Sequence, residues 1–177
     1  MEELLELKQR LEQDRPAAWN ELPDISLYMD QVISYLPRQL IHFDDRDALT
    51  SAMVNNYIKD GLIPRAEGKR YAPTHLAYLT AVCALKKVLS VRDIKSLIHS
   101  GEALGMDAEA MYGYFLRKLD KALADTAEGI EPDAEQMELA KLALTLALNS
   151  YAYQLACARI LDILQLEDSQ DNKKNKK

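Results

Sequence analysis

Apolar positions recur at helical spacing along almost the whole chain. Leu4, Leu7 and Leu11 share one face of a segment over residues 2–14, and Pro16 ends it. Met29, Val32, Ile33, Leu36 and Leu40 repeat the pattern, with Ser26 as the expected N-cap and a break before Pro37. The polar loop HFDDRD follows, and a third helix runs from Thr50 as N-cap to Asp60, closed by Gly61. Its inward face is Met53, Val54, Tyr57 and Ile58; its outward face is Ser51, Asn55, Asn56 and Lys59. Pro73 opens an apolar helix through Val88, and Ser90 with Asp93 forms a capping box for a helix that Gly101 is expected to end. Asp107 caps a helix carrying Met111, Tyr112, Phe115, Leu116, Leu119 and Leu123. After TAEGIEP, Pro132 starts the longest helix, expected over residues 133–167. With six glycines and six prolines in 177 residues, the pattern predicts an all-α chain.

The last helix is longer than its own domain. Thirty-five residues span about 50 Å, whereas a compact chain of this length has a radius of gyration near about 16 Å. It is apolar on two faces: Met137, Leu144, Leu148, Tyr151 and Leu155 on one, and Leu139, Leu142, Leu146, Tyr153 and Ile160 on the other. One face is expected to pack on its own chain. The other, through Leu142, Leu146, Tyr153 and Ile160, is expected to meet the same helix of a second subunit. No residue from Leu142 to Ala158 carries a charge. The run is marginal for a membrane span, contains Thr145, Asn149, Ser150 and Gln154, and lacks a basic flank, so a buried helix and no membrane contact are expected.

The net charge of −6 hides an uneven distribution. Residues 1–54 carry net −6, residues 55–99 net +5, and residues 100–177 net −5. A basic island between acidic flanks points to a local anionic partner. The opening MEELLELKQR is not a secretory signal, and Cys83 and Cys157 lie far apart in apolar helical settings. The expectation is a cytoplasmic protein with two buried thiols.

The basic island has the order that a winged helix-turn-helix requires: a short helix with small and amide side chains outward, a turn, a basic loop, and a further helix. Asparagine presents a paired donor and acceptor that matches adenine in the major groove. Ser51, Asn55, Asn56 and Lys59 are the candidates for that role. Arg65, Lys69 and Arg70, in a tight loop or small hairpin with Gly68 at its tip, are the candidates for phosphate contacts, with Tyr71 closing the loop. The pattern Tyr57-x-x-x-Gly61-Leu62-Ile63-Pro64, then Lys69-Arg70-Tyr71, Leu76, and Leu89-Ser90 leading into Ile94 resembles the DNA-binding domain of MerR-type transcriptional regulators. It covers Asp47 to Ile98, with Asn55 standing where those regulators usually carry a backbone-contacting arginine. PDISLYMDQV, LTSAMVNNYIKDGLIP and LSVRDIKSLI together resemble an uncharacterised bacterial family of unknown function, grouped with the same winged-helix superfamily. The MerR resemblance implies a winged helix-turn-helix with a small β wing and duplex DNA as partner, while the second family adds no ligand, target or activity; the homodimer is expected from the two-faced last helix.

The expected organisation is an N-terminal amphipathic helix and linker (1–22), a winged helix-turn-helix (23–101), a C-terminal helical dimerisation region (102–168) and a disordered tail (169–177). DRPAAWNELPD reads as a clasp that Trp19 anchors to the body. No metal-ligand spacing, phosphate loop or nucleophile motif is present, so the expectation is a non-enzyme without cofactor or metal. His42 beside Asp44 and Asp45 reads as a surface acid cluster. The alternative is a helical protein-interaction or small-molecule module without DNA binding. Tyr112, Tyr114, Phe115, Tyr151 and Tyr153 would then line an effector pocket between the last two long helices.

Overall fold

The computed structural model describes residues 2–43 and 49–174. Most of the HFDDRD loop, including Asp44 and Asp45, lies outside the described residues, as do residues 175–177. Seven α-helices form among the described residues: α1 (Glu2–Gln13), α2 (Met29–Tyr35), α3 (Ser51–Lys59), α4 (Pro73–Leu85), α5 (Val91–Ala103), α6 (Ala108–Glu128) and α7 (Gln136–Lys174). Single 3-10 turns lie at Trp19–Glu21 and Leu36–Gln39, and no membrane-length apolar helix is present among the described residues. The all-α expectation holds.

Several boundaries move for identifiable reasons. Ser26 does not cap α2, because Leu27 exchanges two backbone hydrogen bonds with Tyr71 (2.9 and 2.8 Å) and so holds this segment extended. Tyr28 takes the N-cap position instead, its N–H donating to the Gln31 Oε1 at 2.9 Å. Pro37 ends the α-helical bonding as expected, and the chain continues as a 3-10 turn. Gly101 lies within α5; the helix ends at Ala103 and turns away at Gly105, whose φ is +78°. The expected disordered tail coincides with the last turns of α7, which is helical to Lys174, and with residues outside the described ones.

The core lies among α2, α3, α4 and α5. Val32, Val54, Leu76, Leu79, Val82 and Ile94 are all at or below 1% exposed. Tyr112 of α6 closes this core. Its hydroxyl donates to the Ala17 carbonyl at 2.9 Å, and its ring lies 6.3 Å from Trp19 and 6.0 Å from Phe115. Ala17 N–H in turn donates to Gln39 Oε1 at 2.9 Å. The clasp expected around Trp19 is therefore a hydrogen-bonded strap across α6 and the end of α2.

Leu4, Leu7 and Leu11 of α1 are half-buried, and α1 packs on α6. Lys8 Nζ donates to the Ile130 carbonyl at 2.8 Å, at the elbow between α6 and α7. α7 itself packs mainly on α5, through Leu161 and a hydrogen bond from Arg92 to Gln165 (2.9 Å).

Candidate nucleic-acid interface

Thr50 starts α3 as the sequence suggests, its Oγ1 accepting from Met53 N–H at 3.2 Å. Val54 and Tyr57 are buried and Met53 and Ile58 half-buried, while Ser51, Ala52, Asn55, Asn56 and Lys59 are exposed. The outward face carries short, amide-bearing side chains with one cation. The helix stops in a paired C-terminal motif: Leu62 N–H donates to the Tyr57 carbonyl (2.9 Å) and Gly61 N–H to the Ile58 carbonyl (3.1 Å). That geometry places Gly61 at φ +74°, a left-handed conformation that L side chains rarely adopt. Lys95 of α5 donates to the Asp60 carbonyl at 2.9 Å, adding a cation at the negative end of α3.

Leu62 and Ile63 are buried and anchor the next turn, which leaves Pro64 and Arg65 on the surface. The chain then reverses in a two-residue turn. Gly68 and Lys69 both have positive φ (55° and 64°), and Arg70 N–H donates to the Glu67 carbonyl at 2.9 Å. Two successive left-handed residues match the right-handed twist of a hairpin. The expected small β wing is reduced to this turn. Its pairing is limited to the bridges Glu67–Arg70 and Leu27–Tyr71, and no strand forms among the described residues. His75 Nε2 donates to the Arg65 carbonyl at 3.3 Å and so ties the arm leading into the turn to α4. His75 Nδ1 accepts from Ala72 N–H (3.0 Å), so one buried imidazole joins the start of α4 to the hairpin.

Arg65, Lys69 and Arg70 are exposed, as expected. Tyr71 is not: it is 4% exposed, and its ring meets His75 edge-on at 5.6 Å. Burial pushes its hydroxyl pKa up. Tyr71 holds the hairpin to the core and leaves the set of contact candidates.

Two participants carried no signal in the sequence. The Arg70 guanidinium donates to Tyr28 Oη at 2.9 Å and lies 4.9 Å over the same ring. Tyr28 and Arg70 are 42 positions apart, and the Leu27–Tyr71 bridge beside them brings them together. Lys95 was likewise hidden, as an ordinary outward lysine on a helix remote in sequence.

The long helix shows its apolar faces to solvent. Leu146 is 39% exposed, Tyr153 74% and Ile160 57%, with Leu142 half-buried. The opposite face is exposed as well, so the midsection of α7 packs neither face on its own chain. Tyr112, Tyr114 and Phe115 line an apolar groove of about 750 Å³ walled by α4, α5 and α6, but Tyr151 and Tyr153 take no part in it. A second cleft of about 540 Å³ is bordered by Arg10, Arg15 and Arg38. Arg10 there is committed to Asp14 and the His42 carbonyl, and Arg15 to Asp120 and the Leu11 carbonyl.

Cys83 and Cys157 are half-buried free thiols, and burial raises the pKa of Cys83. No group of three His, Cys, Asp or Glu side chains is placed to hold a metal among the described residues. A family model described as a domain of unknown function, DUF1836, matches residues 17–115. No curated protein and no solved structure matches the chain.

Proposed function

The chain belongs to the DUF1836 family, and from the outward face of α3 and the basic turn that follows it we propose that it is a DNA-binding regulator of transcription. In this reading it acts as a cytoplasmic, non-catalytic homodimer whose head is a MerR-like winged helix-turn-helix. α3 enters the major groove and presents Ser51, Asn55, Asn56 and Lys59 to base edges and backbone. Arg65, Lys69 and Arg70 meet the flanking phosphates. The contacts along α7 through Leu142, Leu146, Tyr153 and Ile160 join two heads, as a symmetric operator requires.

The observation that carries the reading is the exposed polar face of α3 continuing directly into a tight basic turn, within a protein that is otherwise acidic. A short helix whose outward side chains are serine and asparagine is poorly suited to packing but well suited to groove contacts. The neighbouring cations supply the sequence-independent part of the affinity. The extended pairing of Leu27 with Tyr71 adds the element order expected of a reduced wing. The connection from α2 to α3 is longer than the usual helix-turn-helix turn of about 3–4 residues, so α2 serves as support for α3.

The test is binding of sheared genomic DNA, followed by sequencing of the retained fragments. The reading expects a short symmetric site, enriched by the native chain and lost in the Lys69→Ala/Arg70→Ala variant. Affinity titrations across salt should give a slope of log affinity against log salt near about −7, for about eight phosphates neutralised per dimer. A flat salt dependence with no enrichment would overturn it. The α4–α5–α6 groove favours the second reading, an interaction module without DNA binding, for which those arginine and lysine changes would have no effect on partner binding.

A further inference from the structure

The midsection of α7 and the α4–α5–α6 groove are both uncovered; the groove is almost purely apolar, and the midsection carries no charge. Leu144, Leu148, Tyr151, Tyr153, Leu155 and Ile160 are each 57–74% exposed. A helix that is apolar on opposite faces is stable only when it is surrounded. A simple side-by-side contact of two α7 helices covers one face and leaves the other wet.

The groove has the complementary defect. It opens between three helices, is lined by side chains such as Ala81, Leu85, Met111 and Phe115, and includes no residue of α7. Both ends of α7 are held on its own chain, by Lys8 at the Ile130 elbow and by Arg92 at Gln165, while its middle stands off this wall. We propose that the groove is the seat of the α7 midsection of a second copy of this chain, so that two chains interlock reciprocally. The inference deepens, and rests on, the homodimer in the proposed function.

Charge and area both select this occupant. Lys118 is the charged side chain of the groove wall, and no residue from Leu142 to Ala158 carries a charge, so neither surface has the means to select an acidic or basic peptide. An apolar side chain withdraws about 100 Å² from water on full burial. A groove seats one face of a helix: at their observed exposure Leu144, Leu148, Tyr151 and Leu155 offer about 250 Å², and the groove wall a similar area. Reciprocal seating doubles this to about 1,000 Å² in total, the least that a specific interface clears, and leaves the opposite face of α7 for the α7–α7 contact.

Two variants of the full chain test the interlock, both altering exposed positions so that folding survives. The first, Leu148→Glu/Leu155→Glu, places charge on α7. The second, Tyr114→Glu/Ala122→Glu, places charge on the α6 wall of the groove. Sedimentation equilibrium should show a native dimer, and each variant alone should weaken dimerisation at least about 100-fold, with helical circular dichroism retained. Mixing the two should restore a heterodimer, because one intact α7 then meets one intact groove. A native monomer would overturn both the dimer and the interlock. A native dimer that survives the groove variant, or a mixture that forms no heterodimer, would overturn the interlock and leave the dimer standing. Binding of an environment-sensitive apolar dye provides a second readout. The α7 variant should take up dye in its vacated groove and the native dimer should not. Equal uptake by both would mean that the groove is open to a small apolar ligand, and would overturn the proposal.

Discussion

Replacing Gly61 by alanine tests the turn that directs the chain from α3 into the hairpin. Gly61 has φ +74°, where a residue with a Cβ costs about 1–2 kcal/mol. A Cβ there would also approach Lys95 Nζ to 3.3 Å, close enough to disturb the lysine that donates to the Asp60 carbonyl. The lower conformational freedom of alanine in the unfolded chain offsets about 0.4–1 kcal/mol. The net expectation is a loss of about 1 kcal/mol. For a chain of this size that lowers the melting midpoint by about 2–4 °C. Gly113→Ala is the matched control. Gly113 sits inside α6 without a positive φ, and its nearest neighbour would be Arg117 Nη1 at 3.5 Å. There the change should stabilise by about 0.5–1 kcal/mol, as helix propensity dictates. Thermal unfolding followed by far-ultraviolet circular dichroism, at one fixed protein concentration, measures both. If Gly61→Ala melts at or above the native chain while Gly113→Ala behaves as expected, α3 does not end in a left-handed residue and the geometry given to the hairpin is wrong.

Val54→Ala removes a completely buried side chain beneath the outward face of α3 and should cost about 2 kcal/mol by chemical denaturation, whereas Asn55→Ala beside it should change stability by less than about 0.5 kcal/mol yet, on the proposed function, weaken DNA binding. Lys69→Gly should separate stability from function: relief of the φ of 64° should raise stability by about 1 kcal/mol, while loss of the cation should flatten the salt slope by about 2 per dimer. Burial pushes the Tyr112 hydroxyl from 10.0 up to about 12. Because the folded pKa is the higher one, the stability linked to Tyr112 is complete below pH about 10 and lost as pH rises to about 12. The native chain should therefore lose stability relative to Tyr112→Phe across that window, and parallel curves for the two would refute it.

Local chemistry made much of this fold readable. Thr50, Ser90, Asp107 and Pro73 each act within about one turn, and each starts the helix the sequence suggests. The alternation of Val54 and Tyr57 with Asn55 and Asn56 likewise told inward from outward, since burial follows helical period. What could not be read depended on partners distant in sequence. Ser26 looks like a cap until Tyr71 claims the neighbouring backbone, and Tyr71, which closes the loop in the sequence pattern, does so by burying its ring against His75. Tyr28 and Lys95 became part of the site through the same long-range contacts. The wing was overestimated because a hairpin turn has a sequence signature, whereas strand length depends on whether the arms remain parallel. The two faces of α7 were legible as apolar, but periodicity alone cannot distinguish a face covered by its own chain from one left bare.

The Lys8 hydrogen bond to Ile130 gives the first helix an influence over the last. α7, a rod of 39 residues, is fixed near that elbow and again at Gln165, where Arg92 of α5 donates to it. At about 1.5 Å per residue, the helical span from Gln136 to Gln165 is about 45 Å. α1 and α5 thus carry the rod as two piers carry a beam, and in the proposed dimer the stiffness of its bare midsection would set the distance between the two heads.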